Sequence, residues 1–307
     1  MIVEFHAENF GCLKNVTARL TRLHAFIGPN DSGKSTLLRA VATLSHIAAG
    51  DSIRGDFRFT AQLPSGTYIN IPSLLHPRRS PSDEREIVGV RLLRLDPDSL
   101  RQPSGLIPAD SRISFDERGG GLPGVFDAIR DHDDVAFEQI KNDVRRLFPT
   151  LKTIRPKSIS PTQKSIEFEL IDGTRFGASQ VSEGMLYYLA FSMLRHLDRV
   201  ALLLVEEPEN GLHPSRIADV MRVLREVSKT TQVLIATHSP LVVNELQPDE
   251  VTIVTRPSLK EGTRLTPMRE TPNFAERSKV YVLGELWLAY ADGNLEAPLL
   301  TQPTPAP

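Results

Sequence analysis

A chain of 307 residues, 40% hydrophobic and 24% charged, has the make-up of a globular protein of one large or two small domains. Its net charge of -2 gives no overall field for nucleic acid, and its single cysteine, Cys12, excludes an intrachain disulfide and a cysteine-rich zinc site. No apolar run approaches the ~20 residues that span a bilayer, and the opening MIVEFHAENF lacks the apolar core of a signal peptide, so a cytoplasmic protein without a membrane anchor is expected.

Residues 1–47 alternate short strand-like runs (MIVEF, NVTARL, HAFIG) with one helical run, KSTLLRAVATLSHI. Residues 48–180 are proline-rich and less regular, with RGGGLPG read as a breaker of long helices. Within them DFRFTAQ, GTYINI and EIVGVRLLRL alternate like strands. Phe137, Ile140, Val144, Leu147 and Phe148 share one face of an amphipathic helix. No sustained heptad predicts a coiled-coil arm, and no repeat has a solenoid period. From residue 181 strands and helices alternate again: a helix near 182–197, the strand ALLLV, a helix opened by His213-Pro214, the strand TQVLIAT, a short helix at PLVVNEL and the strand EVTIVTR. The terminal EAPLLTQPTPAP reads as a frayed tail. Such alternation predicts a largely parallel sheet with helices on its faces.

Residues 28–35, GPNDSGKS, match G-x-x-x-x-G-K-[ST] between an apolar strand and a helix. Glycines let backbone N–H groups wrap phosphate oxygens at a helix start, where the dipole also favours an anion. The expected nucleotide-binding residues are Gly28, Pro29, Asn30, Asp31, Ser32, Gly33, Lys34, Ser35 and Thr36, with Lys34 on the β- and γ-phosphates and Ser35 on Mg2+. LLLVEEPENGLHP then raises a question of solvation, because a carboxylate at the end of a buried strand needs a partner. A magnesium-bound triphosphate answers it: Glu206 would hold the metal and Glu207 would position the attacking water and accept its proton. His238, in THS just after the strand VLIA, would face the ligand edge of such a sheet and reach the γ-phosphate or the water. VSEGM opens an apolar helix with Ser182 as N-cap and Gly184 permitting close approach of a ligand. Taken singly, a capped helix or a lone histidine is more often structural. Asp96 and Asp98 form a D-x-D that reads as a helix-start cap rather than a metal site.

The ordered set of P-loop, VSEGM, EEPENGLHP and THS resembles the ATP-binding-cassette (ABC) type ATPase head. VSEGM stands at that family's signature, ENGLHP at its D-loop and His238 at its switch histidine. EEPENGLHP, THSP and the opening FHAENFGCLKNV are similar to the branch that holds RecF, SMC-like heads and the OLD-like ATPases. The resemblance covers about 1–47 and 181–256 and is loose between. It implies a head-to-tail homodimer around two ATP molecules, in which Ser182 and Gly184 touch the γ-phosphate held by the other subunit. Two positions depart from the pattern. Gly11 stands where the branch often has a phosphate-binding arginine, with Lys14 as a candidate substitute, and Glu183 stands where a small residue is usual. Gln62 is a candidate Q-loop glutamine. The roughly 50 residues after EVTIVTR are too few for the Toprim nuclease of OLD proteins.

The expectation is an α/β P-loop NTPase with a mixed, largely parallel central sheet flanked by helices, an N-terminal antiparallel β region and an irregular α/β insert. Its core would be 1–47 and 181–270, its β-rich lobe and helical insert 48–180, and its C-terminal extension with a disordered tail 271–307. The function expected is an ATPase, using ATP and Mg2+, that controls a separate effector, with a nuclease or DNA as candidates, in phage defence or DNA maintenance. A membrane transporter's nucleotide-binding subunit and a non-hydrolysing scaffold are the alternatives. Arg78, Arg79, Arg91, Arg94, Arg101, Arg145 and Arg146 are the candidate DNA-facing cations.

Overall fold

A computed structural model describes residues 1–51, 53, 55–71 and 89–290. Arg78, Arg79 and the EAPLLTQPTPAP tail lie outside the described residues. In chain order the first strands are β1 (Glu4–Phe10), β2 (Leu13–Arg19) and β3 (Leu23–Ile27), followed by α1 (Lys34–Ala48), β4 (Arg58–Gln62), β5 (Tyr68–Ile71) and β6 (Val90–Leu93). Then come α2 (Pro97–Arg101), β7 (Ser104–Gly105), α3 (Leu122–His132), α4 (Asp134–Leu147), β8 (Leu151–Ser160), β9 (Gln163–Leu170), β10 (Arg175–Gly177) and α5 (Glu183–Met193). The last part holds β11 (Leu202–Glu206), α6 (Ile217–Ser228), β12 (Gln232–Thr237), α7 (Pro240–Asn244), β13 (Val251–Ser258), β14 (Gly262–Pro267), α8 (Phe274–Arg277) and α9 (Leu283–Tyr290).

The chain divides into two compact units. The first comprises residues 1–92, 200–207 and 228–307. Among its described residues a six-stranded sheet runs in the order β14-β13-β3-β12-β11-β6. The four strands β13, β3, β12 and β11 are mutually parallel, and β14 closes one edge antiparallel. LHAFI, LLLVE and QVLIAT are buried at every position, as strands covered on both faces must be. A second sheet, β2-β1-β4-β5, is antiparallel throughout. Helix α1 contacts β12 and β11 of the first sheet and β1 of the second. Leu37, Leu38, Val41 and Leu44 of α1 join Phe5, Phe59, Leu204 and Leu234 in one apolar core. The expected mixed, largely parallel sheet and N-terminal antiparallel region are both present.

Inside this unit His24 is held by Thr252 Oγ1 at 2.9 Å and Thr21 Oγ1 at 3.2 Å. Burial pushes its imidazole down to about 4, opposed by the charge of Glu250. The unfolded chain takes up this proton near its ordinary pKa of about 6.5, the folded chain only near 4. The contribution of neutral His24 is therefore complete above pH ~6.5 and is lost as pH falls toward 4. Urea denaturation is expected to show wild-type stability lower by roughly 2 kcal/mol at pH 5 than at pH 7 from this group, a slope that His24→Gln removes.

The second unit comprises residues 93–199 and 208–227. Helix α4 buries Phe137, Ile140, Val144 and Leu147, the face expected from the spacing, while Phe148 falls at its C-cap beneath the Arg216 guanidinium. Several elements went unread in the sequence, α3 and the β8–β9 hairpin among them. The RGGGLPG stretch does not simply break helices: Gly121 is the left-handed N-cap of α3, and Pro123 lies in its first turn, where a missing N–H costs nothing. Residues 151–170 form a long antiparallel hairpin, β8–β9. Pro156 interrupts its strand pattern, but β8 pairs on one side only, with β9, and a proline is tolerated on such an edge.

Candidate nucleotide site

The parallel register of the first unit assembles the site. Glu206 of β11 is opposite Ala236 of β12, Ala236 is opposite Phe26 of β3, and Thr237 is opposite Ile27. Three strands thus end level, so that the P-loop after Ile27, the Glu206–Glu207 pair and His238 share one carboxyl edge of the sheet. Ligands of open α/β sheets bind outside this edge. Glu206 is only 6% exposed, and the Glu207 N–H donates to the Ala236 carbonyl at 2.8 Å. The Glu207 carboxylate stands 3.7 Å from His238 Nδ1.

Four described non-glycine residues have positive φ, and two lie in this site: Asp31 at 62° in the P-loop and Glu207 at 49°. Backbone held this way costs of order 1–3 kcal/mol and collects where the chain must aim a group. At Glu207 the left-handed residue directly follows Glu206, the last residue of β11.

Lys34, 7% exposed, donates from Nζ to the carbonyls of Gly28 at 2.7 Å and Pro29 at 2.6 Å. Helix α1 carries no acid in its first turn, so no carboxylate of that turn offsets its positive end. Ser32 Oγ is buried without a hydrogen-bond partner among the described residues. A strained loop, a buried ammonium and a helix start free of acids fit a polyphosphate. Among the described residues no cluster of three or more histidine, cysteine or acidic groups exists.

The loop is also braced from behind by residues the sequence reading missed. A Cβ on Gly28 would lie 2.0 Å from the Val254 carbonyl oxygen of β13. Thr263 of β14 donates its hydroxyl to the Ser32 carbonyl at 2.8 Å and lies 3.3 Å from Cys12 Sγ. Nothing near residue 263 announces this, because the contact spans 231 positions. Gly11 has φ 58° in the turn joining β1 and β2, and a Cβ there would stand 3.1 Å from Thr36 Cγ2. Lys14 lies along Gly262, and Gln62 ends β4 paired with Glu4.

In the second unit Ser182 occupies the N-cap of α5, as read from the sequence, and its side chain makes no capping bond. The Met185 N–H reaches the Ser182 carbonyl instead, at 3.1 Å. Gly184 faces Gly211 of the ENGLHP stretch: a Cβ on Gly184 would stand 3.3 Å from the Gly211 oxygen. Asp96 caps α2 through the N–H groups of Asp98 and Ser99, as read from the sequence. Arg145 and Arg146 face Glu138 and Asp219 in ion pairs at 3.7 and 3.8 Å.

The described residues superpose on two solved SMC heads. One, bound to the C-winged helix domain of ScpA, gives a TM-score of 0.58 at 14% identity, over 86% of this chain and 97% of that one. The other, with an extended coiled coil bound to the C-terminal domain of ScpA derived from Pyrococcus furiosus, gives 0.55 at 13% identity, over 91% and 99%. The fold is that of an SMC head. Residues 1–51 of this head match the family described as AAA ATPase domain. Residues 112–244 match the family described as AAA domain, putative AbiEii toxin, Type IV TA system. The head is also 22% identical over 233 residues to the phosphate import ATP-binding protein PstB of Synechococcus sp. (strain CC9605), covering 75% of this chain and 69% of that protein. No described helix of the head is long and apolar enough to cross a membrane.

Proposed function

We propose that this head binds and hydrolyses ATP, closes as a head-to-tail homodimer around two nucleotides, and uses that closure to control a separate effector. The observation that carries this reading is the level ending of β3, β11 and β12, which puts Lys34, Ser35, Glu206, Glu207 and His238 on one sheet edge. In this reading the P-loop amides and Lys34 hold the β- and γ-phosphates, and Ser35 and Glu206 hold Mg2+, which when bound offsets phosphate charge. Glu207 orients a water and takes its proton as the water oxygen bonds to the γ-phosphorus; the bond from that phosphorus to the β–γ bridging oxygen breaks, and ADP leaves with the electron pair. His238, beside Glu207, fixes that carboxylate and hydrogen-bonds the γ-phosphate. Ser182 and Gly184 receive the γ-phosphate of the opposite subunit at the start of α5. Contacts from both subunits favour the closed state only while that phosphate is present, so hydrolysis shifts the population back.

The family description covering residues 112–244 names a putative AbiEii toxin of a Type IV TA system, which supports a setting in a toxin–antitoxin system. Phage defence, a nuclease-like effector or DNA as the controlled partner, and a cytoplasmic location belong to the same proposal. The likeness to PstB favours a second reading, a transporter's nucleotide-binding subunit, and co-purification with a multi-span membrane protein would establish it. Hydrolysis itself is tested by phosphate release. Lys34→Ala removes a charge-assisted contact and is expected to weaken nucleotide binding about 10- to 100-fold, with release at low ATP falling in step. Equal release by wild type and variant would reduce the protein to a scaffold.

A further inference from the structure

Glu183 places a carboxylate in the first turn of α5, between the two residues assigned to the partner's γ-phosphate. Such an acid suits the helix dipole but repels a triphosphate. The second unit supplies an answer. Arg101, the last residue of α2, brings Nη2 to 3.8 Å from Glu183 Oε1. Its Nη1 donates to Asp98 Oδ1 at 3.2 Å, and Asp96 caps the same helix. The arginine side chain is 21% exposed, and its buried Nε finds no acceptor among the described residues. Leaving a buried donor unmet is costly, and a guanidinium suits phosphate oxygens. One turn beyond Glu183, Tyr187 donates its hydroxyl to the Leu95 carbonyl at 3.2 Å, which ties α5 to the segment leading into α2. Burial, then the charge of Glu183, pushes this phenol up to about 12, so it remains a donor. The Tyr187 ring also packs on Gly211, whose Cβ, if present, would lie 2.3 Å from it.

We propose that Arg101 is a positioning residue for the trans half of the site: it neutralises Glu183 at the start of α5, so that Ser182 and Gly184 can accept the partner's γ-phosphate. This rests on the head-to-tail reading. Loss of Arg101 leaves an uncompensated carboxylate facing a triphosphate at each of two symmetric sites, without touching the P-loop of the same chain.

Sedimentation with Mg-ATP in the Glu207→Gln background tests it. R101A is expected to raise the dimer dissociation constant about tenfold per site, hence about 100-fold. Adding Glu183→Gln is expected to restore dimerisation to within about threefold of the Glu207→Gln protein, because the charge that needed the arginine is gone. Protomer affinity for a fluorescent ATP analogue and the melting temperature should stay unchanged, which a merely structural role for Arg101 would not allow. Unimpaired dimerisation of the Arg101→Ala protein, or failure of Glu183→Gln to restore it, overturns the proposal. A Glu207→Gln protein that never dimerises refutes the head-to-tail reading instead, and the role of Arg101 falls with it.

Discussion

Replacing Glu207 by glutamine is expected to slow ATP turnover by about 10²- to 10⁴-fold, the usual worth of a positioned general base. The substitution keeps the shape and hydrogen-bonding reach of the side chain but removes the proton acceptor. Glu207 is 31% exposed at its side chain and stands 3.7 Å from His238 Nδ1, so the amide needs no new cavity. Its backbone, with φ 49° and the N–H held by Ala236, is set by the chain rather than by the carboxylate. Nucleotide binding should therefore survive while the chemical step fails, and sedimentation with Mg-ATP should show dimer accumulating. Single-turnover phosphate release and a binding isotherm measured together separate the two effects. A Glu207→Gln protein that hydrolyses at the wild-type rate would remove this carboxylate from the mechanism.

Gly28→Ala is expected to be the most damaging small substitution in the loop. The added Cβ would lie 2.0 Å from the Val254 oxygen and 2.9 Å from Ser32 Oγ. The first neighbour is backbone of β13, paired to β3 on one side and β14 on the other, and cannot step aside. Either the sheet spreads or the loop moves toward the nucleotide, and overpacking of this kind costs about 3 kcal/mol. Loop displacement would also take the Gly28 carbonyl from Lys34 and spoil the phosphate cradle, so nucleotide affinity should fall by about 100-fold or more. Gly177→Ala is the matched control: nothing lies within 4 Å of a Cβ there, and the change should stay within about 0.5 kcal/mol. Thermal melting and equilibrium nucleotide binding of both variants check the contrast. An undisturbed Gly28→Ala protein would show that the loop is looser than its packing against Val254 implies.

The proposed phosphate-binding end was legible in the sequence because its parts are contiguous. GPNDSGKS specifies loop, helix start and lysine within eight residues, and LLLVEE announces a buried strand that ends in charge. The α4 face and the continuous apolar strands followed from periodicity alone. Other elements were obscured by local chemistry. Pro156 masked β8, and the glycines before α3 looked like punctuation when one of them begins a helix.

Sequence by itself thus determined the make-up of the candidate site: the glycine-rich loop with its lysine, the carboxylates at a strand's end, and the strands that bear them. Only the tertiary structure decided what holds those residues in place. Thr263 reaches the P-loop from 231 positions away, and Arg101 meets Glu183 across a break of sheet and helices. The physical reason is one of range. A helix start or a strand run is fixed by neighbours a few residues apart, whereas the close approach of two backbones, or of two opposite charges, depends on how whole elements pack and leaves no periodic trace in the chain.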